Sequence, residues 1–183
     1  MKRGFYTIMS AQFFSSLADN ALFVGAVQLL RSSGAPEWQQ AALVPMFALF
    51  YVVLAPFVGA FADALPKGKV MFISNAIKVV GCVLMLFGGH PLMAYAIVGL
   101  GAAAYSPAKY GILTELLPSS QLVKANGWIE GLTIASIILG VLLGGQLVGH
   151  AVASRLLTFD LPLIETGIDT APEAAISVLI FVY

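Results

Sequence analysis

The chain has 183 residues, of which 60% are hydrophobic and 10% charged, and its mean hydropathy is +0.94. A soluble domain carries charge at roughly a quarter of its positions, so this composition places the chain in a membrane. Nine basic and nine acidic residues cancel, which leaves no basic field to attract nucleic acid, and a single cysteine, Cys82, excludes an intrachain disulfide.

The first predicted span is Phe5 to Leu30, long enough as a helix of about 1.5 Å per residue to cross a hydrocarbon layer of roughly 30 Å. Met1-Lys2-Arg3 before it resembles the start of a signal peptide. The apolar run is too long for that and contains Asp19, so it reads as an uncleaved first span. Gln12, Ser15, Ser16, Asp19 and Asn20 recur at spacings of three and four and fall on one stripe. A carboxylate deep in a bilayer costs about 2.5–3.5 kcal/mol on insertion scales, so the stripe faces a polar cavity or a partner charge. Asp19 either glues helices through a buried hydrogen bond or lines an ion or substrate path, and the second reading is preferred because intramembrane acids mark such paths.

Span two runs from about Gln40 to Ala62 and holds Pro45 and Pro56, which predict one bent helix. A polar turn from Asp63 to Lys69 leads to span three, Val70 to Phe87. Lys78 interrupts that span, and is expected to snorkel to the interface or to pack against a polar neighbour. Gly88-Gly89-His90-Pro91 makes a tight turn before span four, Leu92 to Leu116, on which Ala102, Ser106 and Lys109 share a face. After a loop from Pro118 to Lys124, span five covers about Ala125 to Val148, with Asn126, Glu130 and Thr133 on one side of its start. Gly140 with Gly144, and Gly145 with Gly149, form small-xxx-small pairs suited to close helix contact. Residues 151–173 read as an extracytoplasmic loop with room for a short interfacial helix, and residues 174–183 as the start of a truncated sixth helix, about 15 Å long. Lys2, Arg3, Lys67, Lys69 and Lys124 collect on one side of this topology, which the positive-inside tendency makes cytoplasmic together with the N-terminus. His90 and His150 have no partner ligands, so neither a metal nor another cofactor is expected, and the absence of a nucleophile with a base argues against an enzyme.

Gly59-Ala60-Phe61-Ala62-Asp63, followed by Lys67, Gly68 and Lys69, resembles the loop motif between the second and third helices of the major facilitator superfamily. Ala64 stands where a basic residue is usual and Gly68 arrives about two positions late. Ala18-Asp19-Asn20-Ala21-Leu22, Ala55-Pro56-Phe57-Val58-Gly59, the stretch from Gly101 to Gly111 and Leu122-Val123-Lys124-Ala125-Asn126-Gly127 resemble the bacterial lysophospholipid transporters of that superfamily. The likeness runs from Phe5 to Gly149.

The resemblance implies an all-α integral membrane fold, the N-terminal half of a major-facilitator-type transporter, with five complete transmembrane helices over residues 1–150 and the start of a sixth. It implies import of lysophosphatidylethanolamine and lysophosphatidylglycerol from the outer to the inner leaflet of the bacterial inner membrane. Alternating access would be completed by a missing C-terminal half or partner chain, and an acyltransferase/acyl-carrier-protein synthetase would reacylate the product. A lysophospholipid needs a cation for its phosphate, an acceptor for an ammonium and an apolar groove for one tail. Lys109, with Lys78 in support, meets the first need, Asp19 with Asn20 the second, and Phe13, Phe14 and Phe23 part of the third. Gln12, Ser16 and Glu130 complete the expected site, while Gly59, Asp63, Lys67, Gly68 and Lys69 form the conformational loop. Depth counting puts Asp19 about 21 Å and Lys109 about 10 Å from the inner edge, so that they act at different levels of one cavity or one of them pairs with the missing half. Two other readings stay open: a facilitator for a different amphiphile or drug, and a scaffold whose buried charges only pack helices.

Overall fold

The computed structural model describes residues 3–157 and 170–183, and among them there is no strand. The elements are α1 (Arg3–Ser32), α2 (Glu37–Val53), α3 (Ala55–Ala64), α4 (Lys67–Leu86), α5 (Pro91–Leu116), α6 (Ser119–Leu147), α7 (His150–Leu157) and α8 (Ala171–Ile180). Four of them, α1, α4, α5 and α6, are long and apolar enough to cross a membrane, and α2 with α3 adds a fifth if the bent pair is one span.

The bundle is built around α5, of whose most apolar stretch 67% is buried, against 22% for α6. It packs on α4, α2, α3 and α1, while α1 lies along α6 and α8 wedges against α1 and α4. The reason is local: lipid is as apolar as leucine, so membrane helices associate where small residues let their backbones approach. A Cβ on Gly101 of α5 would stand 2.6 Å from the Ser74 carbonyl oxygen, and one on Gly81 of α4 2.8 Å from that of Ala94. Gly140 and Gly144 do the same for α6 against α1, facing the carbonyl oxygens of Leu17 and Ala21. The second expected pair does not: Gly145, about 100° further round, looks into open space, and Gly149 meets only its own helix end. Cys82 is buried in the main apolar cluster with Leu22, Leu43, Val98 and Ile176.

Element ends follow ordinary chemistry. Gly88, at φ +80°, turns the chain after α4, and His90 starts α5 by accepting the Leu92 N–H on Nδ1 at 3.3 Å, with Pro91 in the first turn. Glu173 reaches back to the Thr170 N–H at 2.9 Å and starts α8.

Several expected boundaries move. The single bent span over 40–62 is two helices meeting at 65°. Pro45 lies inside α2, whereas the chain breaks at Leu54, because Pro56 has no N–H to continue the helix and fits only in the first turn of a new one. The loop Pro118–Lys124 is mostly helix, since nothing after Pro118 stops α6 from starting at Ser119. Part of the expected loop over 151–173 lies in α7, and α8 begins at Ala171, ahead of the expected Ala174. Asp160, Glu165 and Asp169 of that loop fall outside the described residues.

Candidate functional site

Asp19 is the node of a network drawn from three helices. Lys78 of α4, only 2% exposed, donates to Asp19 Oδ2 at 2.7 Å and to Ser15 Oγ at 2.9 Å. The Tyr183 hydroxyl, just beyond α8, donates to Asp19 Oδ1 at 2.7 Å. Ser15 Oγ in turn donates to Asn75 Oδ1 at 2.9 Å. The Lys78 ammonium also sits 5.3 Å from the Tyr105 ring centre and 5.4 Å from that of Tyr183, so aromatic faces complete its shell. Lys78 therefore does not snorkel to the interface. The absence of a side chain at Gly101 admits its stem, because a Cβ there would stand 2.7 Å from Lys78 Cγ.

Beside this pair lies a small polar cavity of about 110 Å³, lined by Gln12, Ser16, Asp19, Lys78, Ser106 and Lys109 among others. Ala102, Ser106 and Lys109 all reach it, as their common helix face requires. Lys109 is 7% exposed and makes no hydrogen bond or ion pair among the described residues; its ammonium lies 4.5 Å from the Tyr110 ring centre. Tyr105 shares the lining, and its buried hydroxyl has no partner among those residues. A second cavity of about 440 Å³ shares Ser16, Asp19 and Tyr51 with the first, and is otherwise walled by Asn20, Phe23, Val44, Phe47, Tyr95, Ile137 and Val141. A small polar chamber thus shares a wall with a larger, mainly apolar one.

The expected residues divide accordingly. Gln12, Ser16, Asp19 and Lys109 meet in the polar cavity, and Gln12 is held by a 3.3 Å hydrogen bond to Thr133 Oγ1. Asn20 lines the apolar cavity and donates to the Ser16 carbonyl at 2.8 Å. Glu130 is exposed outside both linings, accepting the Tyr110 hydroxyl at 2.6 Å. Phe23 lines the larger cavity, but Phe13 and Phe14 face a separate groove of about 620 Å³ between α1 and α6, with Lys124 and Trp128. The loop motif lies apart. Lys67 pairs with Asp63 at 2.5 Å and donates to the Ala62 carbonyl at 2.8 Å, placing a cation on the C-terminus of α3. Gly59 and Gly68 face open space and not a packed helix, so neither is there for close contact, and Lys69 is exposed. Reading the sequence missed Tyr51, Tyr95, Tyr105 and Tyr183 as site residues; their signal was a phenol inside an apolar segment, which needs a hydrogen-bond partner when buried.

Residues 8–158 match the family profile of the Major Facilitator Superfamily. Among curated proteins, the chain is 47% identical over 154 residues to the lysophospholipid transporter LplT of Cronobacter sakazakii, covering 84% of this chain and 39% of that protein. It is 49% identical over 147 residues to the protein of that name in Yersinia enterocolitica, covering 80% and 36% respectively. The Yersinia pestis protein of that name is 48% identical over 147 residues with the same coverage. The chain thus matches a little over a third of the length of these relatives.

Proposed function

Because this chain belongs to the Major Facilitator Superfamily, we propose that it forms the N-terminal half of a lysophospholipid transporter. The cargo is lysophosphatidylethanolamine and lysophosphatidylglycerol, moved by alternating access from the outer to the inner leaflet of the bacterial inner membrane. There an acyltransferase/acyl-carrier-protein synthetase restores the second chain. In this reading five complete transmembrane helices and the start of a sixth come from this chain, the N-terminus is cytoplasmic, and the rest of the polypeptide or a partner closes the other side of the cavity. The protein moves its cargo and makes or breaks no covalent bond in it.

The observation that carries this reading is the shared wall between the polar and apolar chambers, an amphiphile's shape in negative. Bringing a sixteen-carbon tail into water would forfeit about 0.8 kcal/mol per methylene, on the order of 13 kcal/mol, so the tail must stay in apolar surroundings while the headgroup crosses. Lys109 supplies the cation for the phosphate, and Gln12, Ser16 and Asn20 supply hydrogen bonds for the glycerol. Asp19 forms the wall between the chambers, and Glu130 attracts Lys109 from outside the lining while holding the Tyr110 hydroxyl. Gly59, Asp63, Lys67, Gly68 and Lys69 form the corner that moves between the two access states.

The test is lysophospholipid translocation by the full-length protein in liposomes. Lys109→Gln should lower flux of both lipids at least tenfold without changing yield or monodispersity. Undiminished flux removes Lys109 from the path, and no flux of either lipid from the folded parent overturns the substrate assignment.

A further inference from the structure

The charges along the polar cavity do not balance, and the imbalance shows which part of a headgroup is read there. Its wall carries one carboxylate, Asp19, and two ammonium groups, Lys78 and Lys109. Asp19 is already engaged on both oxygens, by Lys78 at 2.7 Å and by the Tyr183 hydroxyl at 2.7 Å. Lys78 is confined by Ser15, by two aromatic rings and by the close approach of α5 at Gly101. What remains is one buried cation, Lys109, without an ion pair among the described residues. Glu130, exposed and holding the Tyr110 hydroxyl, attracts Lys109 from outside the cavity lining but makes no ion pair with it, so the lining itself keeps one cation in excess. A buried charge is costly until an opposite charge meets it, so the site is complementary to a single anion. With its phosphate at Lys109, a headgroup whose ammonium also reached Asp19 would set three cations against two anions, whereas the phosphate alone leaves two against two.

We propose that Lys78 is a built-in counter-cation that closes Asp19 to the ammonium of an ethanolamine headgroup, so that the cavity selects on the phosphodiester through Lys109. This rests on the lysophospholipid reading above and deepens it. It assigns Lys78 as a specificity-determining residue, takes the ammonium away from Asp19, and explains how one site serves a zwitterionic and an anionic lipid. Both carry the same phosphodiester, and the group beyond it is left outside the charge balance.

The experiment is equilibrium competition binding of lysophosphatidylethanolamine and lysophosphatidylglycerol, against a radiolabelled lysophospholipid, on the full-length protein. The ratio of the two affinities is the readout, since a purely structural role would weaken both alike. In the parent the two should bind within a few-fold of each other. Lys78→Met frees Asp19 and should shift the ratio at least tenfold toward the ethanolamine lipid, whereas Lys109→Gln weakens both equally. The double variant Asp19→Asn with Lys78→Met removes the pair together and should return the ratio to the parent's. If Lys78→Met alone does not fold, the double variant decides. An unchanged ratio in folded Lys78→Met, a selective loss of the ethanolamine lipid in the double variant, or loss of all binding by the folded double variant overturns the inference. A folded parent that binds neither lipid overturns the lysophospholipid reading itself, and the inference with it.

Discussion

A lysine ammonium 2% exposed among apolar helices is tolerable only while a carboxylate stands 2.7 Å away. Breaking a buried pair by removing one partner typically costs about 3–5 kcal/mol, because the survivor keeps its charge with nothing to answer it, whereas replacing both is often close to neutral. Asp19→Leu should therefore destabilise the protein by about 3–5 kcal/mol, and the double change Asp19→Leu with Lys78→Met by much less. Thermal melting in detergent checks this, and equal losses in the two would show that the pair is not a unit. Asp19 was legible in the sequence because an acid in a long apolar run has few alternatives. That Lys78 is its partner was not, since periodicity orders residues around one helix and is silent on which face of another helix arrives there. Lys109 was legible for the converse reason: Ala102 and Ser106 mark its face as one where bulk is absent.

Among elements, the glycines of the helix seams carry the most weight. The same substitution should have opposite signs at a seam glycine and at one outside the seams. Gly101→Ala puts a methyl 2.6 Å from the Ser74 carbonyl oxygen and 2.7 Å from Lys78 Cγ, and parting α4 from α5 should lose about 1–3 kcal/mol. Gly145→Ala meets open space and should gain up to about 1 kcal/mol from helix propensity alone. Melting temperatures of the two variants decide it, and a loss at Gly145 would mean that its face is covered. The small-xxx-small spacing could be read directly, yet it described the two pairs on α6 in the same terms. Only the position of α1 tells them apart, and that is a tertiary fact. Proline behaved alike: Pro45 and Pro56 were equal candidates for a bend, and the break fell where Pro56 could begin a new helix.

For the molecule as a whole, the distribution of basic residues makes a statement about sidedness. Lys67 and Lys69 begin α4, and Lys124 lies in the early part of α6, all at helix ends that the topology brings to one side. Lys69→Cys should therefore react with a membrane-impermeant maleimide only from the cytoplasmic face, with no background from the fully buried Cys82. Labelling of intact cells without permeabilisation would reverse the orientation. The helical class and most of the spans were readable from hydropathy, because each span solves its own hydrogen bonding in lipid. How those spans meet depends on side-chain shape across the bundle, and so had to be seen.

The network around Asp19 also has an order in time. Its cation lies 59 positions downstream and its phenol 164. At about 5–20 residues per second of synthesis, Asp19 exists for roughly 3–12 s before Lys78 has been made. Throughout that interval the first helix carries an acid with no mate, and on its own it is a poor occupant of lipid. Release from the insertion machinery should then wait for the birth of α4, so that the earliest helix made is expected to be among the last to settle.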